Sequence, residues 1–226
     1  GTNAALGDVT ITSAATVDTD GVFKAASFTQ RAGSVATQFD GAVTLTGNFD
    51  FTGQALTLNA ALGSGGTVEV TNSGTLTTAA TGDITSTGAF TQNGAGTNSL
   101  AGDITTTESN ISFLRAVTLT GPVALSTGVG AGDITFTTTV DGGQALTLAA
   151  GTGGIDFDGA VGGATALSSL AVNSGALTLD QDVTTTGGQT YSQSVALADD
   201  VTLTGTGLSA SAIDMSTYSL TLSEAG

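Results

Sequence analysis

Paired carboxylates are the first residues of this chain that could do chemistry. Asp156 and Asp158, Asp180 and Asp182, and the adjacent Asp199 and Asp200 are the candidates. Two carboxyl groups flanking a glycosidic bond can cleave it as acid and base. On a strand, an i, i+2 pair points both acids to one outward face. Any solvated strand face does the same. The chain has no His to share proton transfer and no Trp to stack a sugar ring, and its only cations are Lys24, Arg31 and Arg115. The chain is therefore not read as an enzyme, and no catalytic residue is assigned. Asp-rich turns could also offer oxygen ligands to calcium. Neither the EF-hand loop nor the Gly/Asp nonapeptide repeat occurs, however, and no metal ligand or cofactor is assigned. The recurring Gly-Asp has a simpler reading: Gly turns a corner and Asp hydrogen-bonds the backbone beside it.

Three further patterns bear on function. The glycine-rich GTGGIDFDGAVGG at 151–163 lacks the Lys-Ser/Thr and the helix start that a phosphate loop needs. Threonine rows (Thr135/Thr137/Thr139, Thr105/Thr107, Thr184–Thr186) could present the regular hydroxyl array of an ice-binding solenoid face. Their spacing is irregular, and Glu69, Asp156 and Asp158 interrupt the faces; Thr is also a favourable exposed strand residue. Asn110-Ile111-Ser112 is a complete N-glycosylation sequon, of the kind that arises by chance.

Composition narrows the partners. Nineteen acids against three bases give a net charge of −16. A nucleic-acid partner is not expected, since binding requires clustered Lys and Arg to displace counterions, and anionic membranes are disfavoured for the same reason. No apolar run is long enough to insert in a bilayer. The absence of Cys removes thiolate and iron–sulfur chemistry. Charged residues are only 10% of the chain and mean hydropathy is +0.29, which opposes disorder. With 34 Gly, one Pro (Pro122) and 5% aromatics, a thin core of Val, Leu, Ile and Ala fits better than a compact globule.

The elements that must position all these groups are repetitive. GQALTL at 53–58 returns at 143–148, 90 positions later (143 − 53). GDVT at 7–10 returns as GDIT at 82–85, 102–105 and 132–135; VTLTG occurs three times, FDGAV and FTQ twice each. Within each word the period is two: in GDITFTTTV, Ile134, Phe136, Thr138 and Val140 share one side. This is a strand signal, and no stretch shows a capped 3.6 period. Asn93-Gly94 is the single clear hairpin turn, so a parallel β-helix is favoured over a sandwich or barrel. The expectation is an all-β, right-handed parallel β-helix (β-solenoid) with coils of about 20 residues, giving on the order of eleven rungs and a rod about 50 Å long. Residues 1–226 are expected to form one continuous solenoid domain, with GQALTL as one coil segment re-used a few rungs later. Corner glycines are expected to supply positive φ.

Residues 142–205 (GGQALTLAAGTGGIDFDGAVGG through VALADDVTLTG) resemble the β-strand repeats of filamentous-haemagglutinin-like bacterial exoproteins, which use two-partner or autotransporter secretion. Residues 90–121 are similar to the same repeats, and 28–62 more loosely. The resemblance implies a right-handed β-helix, export to the cell exterior, and a role in adhesion, stalks or filaments. The secretion and translocator domains of such proteins are not represented here. GTNAALGDVTITS and YSLTLSEAG are both strand-like, without the polar caps that solenoids use, so a processed product or segment of a longer protein is expected. End-to-end self-association follows as the expected partnership. The alternative is a surface-binding module that presents a flat Thr/Asp face to carbohydrate, a host surface or ice.

Overall fold

The computed structural model describes residues 5–225. Among them there is no helix, and every paired strand runs parallel to its neighbour. The chain winds into a β-solenoid of about 11 turns. Each turn has three faces. In one coil, Val43–Leu45 lies on face 1, Phe49–Gly53 on face 2 and Ala55–Leu58 on face 3. Many central strands are only three residues long, such as Ile84–Ser86, with two side chains inward and one outward. That is the shortest stretch that can satisfy a period of two while turning a corner at each end.

Stacking aligns equivalent positions into ladders. On face 2, one inward ladder runs from Val9 through Phe28, Phe49 and Val68 to Leu177, Val195 and Ile213 without a polar member. Coil length read along it varies between 18 residues (Leu177 to Val195) and 23 (Ile111 to Ile134). Strands hold the register while corners absorb the variation. On face 3, short strands give way to an isolated bridge at Val161, which continues the column from Val140 to Val183.

Three local expectations are corrected. First, the repeated words do not mark equivalent coil positions. The first GQALTL ends in Ala55–Leu58 on face 3 and the second in Ala145–Ala149 on face 1, four coils and one face later. GDIT likewise opens face 1 at Ile84 and Ile104 but face 2 at Ile134. Second, the core is not purely aliphatic. Eight of the nine Phe are buried, with Phe23 packed against them, and Phe113, Phe136 and Phe157 stack nearly parallel on successive coils with centroids 5.5 and 5.2 Å apart. Third, positive φ is used at four glycines, Gly128, Gly142, Gly151 and Gly162, as expected of corners, but not by the glycines of GDIT. They are small because the next coil is close: a Cβ on Gly102 would lie 2.7 Å from the Gly82 carbonyl.

Polar groups inside the solenoid sit mainly at corners, with Thr37 and Asn98 as members of the inward face-3 column. Between faces 1 and 2, Ser64, Ser86, Thr106, Thr127 and Ser174 are buried. Ser86 Oγ donates to Gly88 O at 2.7 Å, Thr127 Oγ1 to Gly132 O at 2.8 Å and Ser174 Oγ to Ala176 O at 2.7 Å, satisfying carbonyls that the turn removes from the ladder. After face 2, Gln92 donates to Asn72 Oδ1 at 2.7 Å, and Asn98 Nδ2 reaches Arg115 O at 3.1 Å.

Candidate functional site

The outward side chains do one job repeatedly: they tie one coil to the next. Asp103 Oδ1 accepts the Ala124 amide at 2.8 Å, and Asp83 Oδ1 accepts that of Asp103 at 2.9 Å. Asn110 Oδ1 accepts the Asp133 amide at 2.9 Å, and Asp133 Oδ1 that of Gly154 at 2.7 Å. Asp182 and Asp200 accept the amides of Thr202 and Ser219, each at 2.7 Å. The Asp of Gly-Asp-Ile-Thr thus bonds backbone, as its turn chemistry suggests, but about one coil away rather than beside itself. Threonines complement this from strand ends. Thr120 Oγ1 donates to Leu100 O at 3.2 Å, Thr137 Oγ1 to Phe113 O at 2.7 Å, and Thr87 Oγ1 to Gly65 O.

These ties decide the fate of the threonine rows. Thr135 faces outward while Thr137, the second member of its pair, is turned onto the preceding coil. On face 3 the outward column runs Gln38, Thr57, Thr77, Ser99, Thr118, Asp141, one hydroxyl per coil and bracketed by an amide and an acid. A two-column hydroxyl lattice does not form. The sequon is also engaged: Asn110 holds the next coil, and Ile111 is buried in its strand.

The carboxylate pairs are redistributed. Asp156 and Asp158 share the outer side of face 2. Asp180 stands above Asp158 on the next coil, because Leu179 pairs with Phe157. Asp182 has turned the corner to hold Thr202, and Asp200 holds Ser219, so both leave the row. Burial first, then Asp158 and Asp180, pushes the Asp156 carboxyl above the usual carboxylate range. Asp180 is raised chiefly by burial; its own backbone amide opposes this, and Asp158 and Asp199 add to it. Its Oδ1 is buried and accepts no hydrogen bond. Asp50 is raised by burial and by Glu69, directly opposite on the neighbouring coil. The row is an electrostatic liability of the folded chain, since its carboxylates raise one another's pKa values.

A third acidic group was not foreseen. Asp18, Asp20 and Asp40 bring carboxylate oxygens within 4.8 Å of one another, all exposed. Asp40 Oδ1 already accepts from Asn59 Nδ2 at 2.6 Å and Gln38 Nε2 at 2.9 Å. The sequence signal was Asp-x-Asp followed one coil later by a further Asp. Concavities are shallow. One of about 360 Å³ on face 2 is edged by Asp133, Thr135, Asp156 and Thr178 over Gly154. Another, about 330 Å³, opens among Leu203, Leu208 and Leu222 at the last coil. The chain matches no family model, no curated protein and no solved structure.

Proposed function

We propose that this chain is an extracellular structural protein, a subunit or stalk segment of a bacterial surface filament or adhesin, joined end to end. The observation that carries this reading is the set of side-chain ties that join one coil to the next, such as Asp103 to the Ala124 amide and Thr137 to the Phe113 carbonyl, along a parallel solenoid of about 11 turns. The resemblance to filamentous-haemagglutinin-like repeats supports export and a surface role. So does the use of outward Asp and Thr as inter-coil ties, which spends polar side chains on rigidity rather than recognition. The charge of −16 keeps rods apart laterally and opposes nucleic-acid and membrane partners. Electron microscopy and fibre diffraction of the purified protein test the reading. Ordered filaments with an axial repeat near 4.8 Å are expected; a monodisperse monomer without fibres at high concentration counts against assembly.

A second reading, a surface-binding module for carbohydrate or a host surface, is favoured by the polar depression at Asp133, Thr135, Asp156 and Thr178. It requires glycan binding that Asp156→Ala abolishes without lowering the melting temperature.

A further inference from the structure

Asn93-Gly94 closes no hairpin. It turns the corner between Phe90–Gln92 on face 2 and Asn98–Leu100 on face 3. Close approach demands the glycine: a Cβ on Gly94 would lie 2.1 Å from Asn72 O. Asn93 is the single asparagine followed by glycine, and it is exposed. Its amide is tied to the preceding coil at both ends. Nδ2 donates to Glu69 Oε1 at 2.7 Å, and Oδ1 accepts the Thr71 hydroxyl at 2.5 Å. The nitrogen of the residue after an asparagine can attack that side chain and close a five-membered imide, and glycine leaves this nitrogen least hindered. The Gly94 N–H forms no hydrogen bond among the described residues. The Asn-Ser steps are engaged instead. The Ser73 amide donates to Gly53 O at 2.9 Å and the Ser174 amide to Gln193 Oε1 at 3.3 Å. Asn98 is buried in a strand paired on both sides.

We propose that the folded chain modifies itself at Asn93, through an imide formed with the Gly94 nitrogen, and that the resulting carboxylate unties this coil from Glu69. The Gly94 nitrogen gives its proton to solvent base and bonds Cγ of Asn93. The Cγ–Nδ2 bond then breaks, and Nδ2 takes a proton from water and leaves as ammonia. Water opens the imide at either carbonyl, giving aspartate or isoaspartate. The Thr71 hydroxyl already donates to Oδ1, where negative charge develops during the attack, and stabilises it. The product has no N–H to offer Glu69, and Asp50 stands directly opposite Glu69 on the coil before. Conversion thus replaces a tie with three carboxylates on successive coils, and like charges so placed repel.

Incubation of the folded chain in mildly alkaline buffer, followed by digestion and tandem mass spectrometry, tests the site. Asn93 should gain one mass unit and yield isoaspartate, while Asn72, Asn98 and Asn173 stay intact. Thr71→Val, checked for folding by circular dichroism, should slow the conversion several-fold. Asn93→Asp supplies the product charge at once. It should melt below the native protein at neutral pH, and the difference should shrink on acidification as the added carboxylate takes up a proton. Conversion in urea-unfolded chain but not in folded chain overturns the proposal, as does equal conversion at the Asn-Ser steps. Faster conversion in Thr71→Val overturns the role given to that hydroxyl. An unchanged melting temperature in Asn93→Asp overturns the untying.

Discussion

Ile134 and Ile213 occupy the same inward ladder, one in the middle of the rod and one in its last coil. Truncating each to Ala asks how far stability is built from neighbouring coils. Ile134 is 0% exposed and sandwiched between Ile111 and Ile155. Removing three carbons at about 0.8 kcal/mol each gives roughly 2.4 kcal/mol of lost transfer energy. A cavity follows, because coils above and below are pinned by their own backbone bonds, and the total reaches about 3–4 kcal/mol. Ile213 is only partly buried and has a neighbour on one side. It loses roughly half the transfer energy and leaves no enclosed void, about 1 kcal/mol. Equilibrium unfolding in urea on dilute, unassembled protein measures both. The central lesion should also lower the slope of the transition if the two halves of the rod then unfold separately. Equal losses at the two sites, or a loss below about 1 kcal/mol at Ile134, would refute a stability summed from coil-to-coil contacts.

Asp156 and Asp180 have raised carboxyl pKa values in the folded state, so folding favours their protonated forms. Stability contributed by them is absent above the raised pKa and is gained as pH falls toward the ordinary carboxylate value of about 3.9. The melting temperature should therefore rise on acidification from pH 7 toward that value, and Asp156→Asn/Asp180→Asn should show a higher neutral value and a flatter profile. Asp103→Ala removes the acceptor of the Ala124 amide and should cost about 1 kcal/mol in urea unfolding, with Asn recovering most of it. A Cβ on Gly96 would lie 1.5 Å from Gly74 O; Gly96→Ala should cost at least about 2 kcal/mol by the same measurement, because coil separation must increase.

Fold class was legible because the interior asks little of each position. A ladder accepts Val, Leu, Ile or Phe alike, so period-two words such as those around Ile134 and Ile155 announce themselves. Their placement was not legible for the same reason. All three faces make the same demand, two inward residues around one outward, so GQALTL fits face 3 at Leu56 and face 1 at Leu146 equally well. Gln30 and Gln92 were readable in principle: each alternates in phase with a Phe two residues before it, and both are buried. The carboxylate row was half legible. Asp156 and Asp158 are neighbours in sequence, whereas Asp158 and Asp180 meet only through the pairing of Phe157 with Leu179, a register fixed by the corner lengths between them.

The ties between coils also carry a direction. In the Asx series, the side chain belongs to one coil and the amide it accepts to the following one: Asp83 to Asp103, Asp103 to Ala124, Asp182 to Thr202. The threonine series runs the other way, with hydroxyls reaching back to carbonyls of the coil before, as Thr120 does to Leu100 and Thr137 to Phe113. The boundary crossed by Asp83 and Thr120 and the one crossed by Asp103 and Thr137 are thus sewn from both sides, at the corners where the backbone ladder is interrupted. Tension along the axis acts on these boundaries in series, and a rod under tension is as strong as its weakest boundary. Placing side-chain ties at the interruptions evens out the boundaries rather than strengthening any single one. Binding a ligand gains nothing from this arrangement, since it consumes the hydroxyls and carboxylates that recognition would need. Bearing tension gains directly, and for that reason the structural reading is preferred over the binding one.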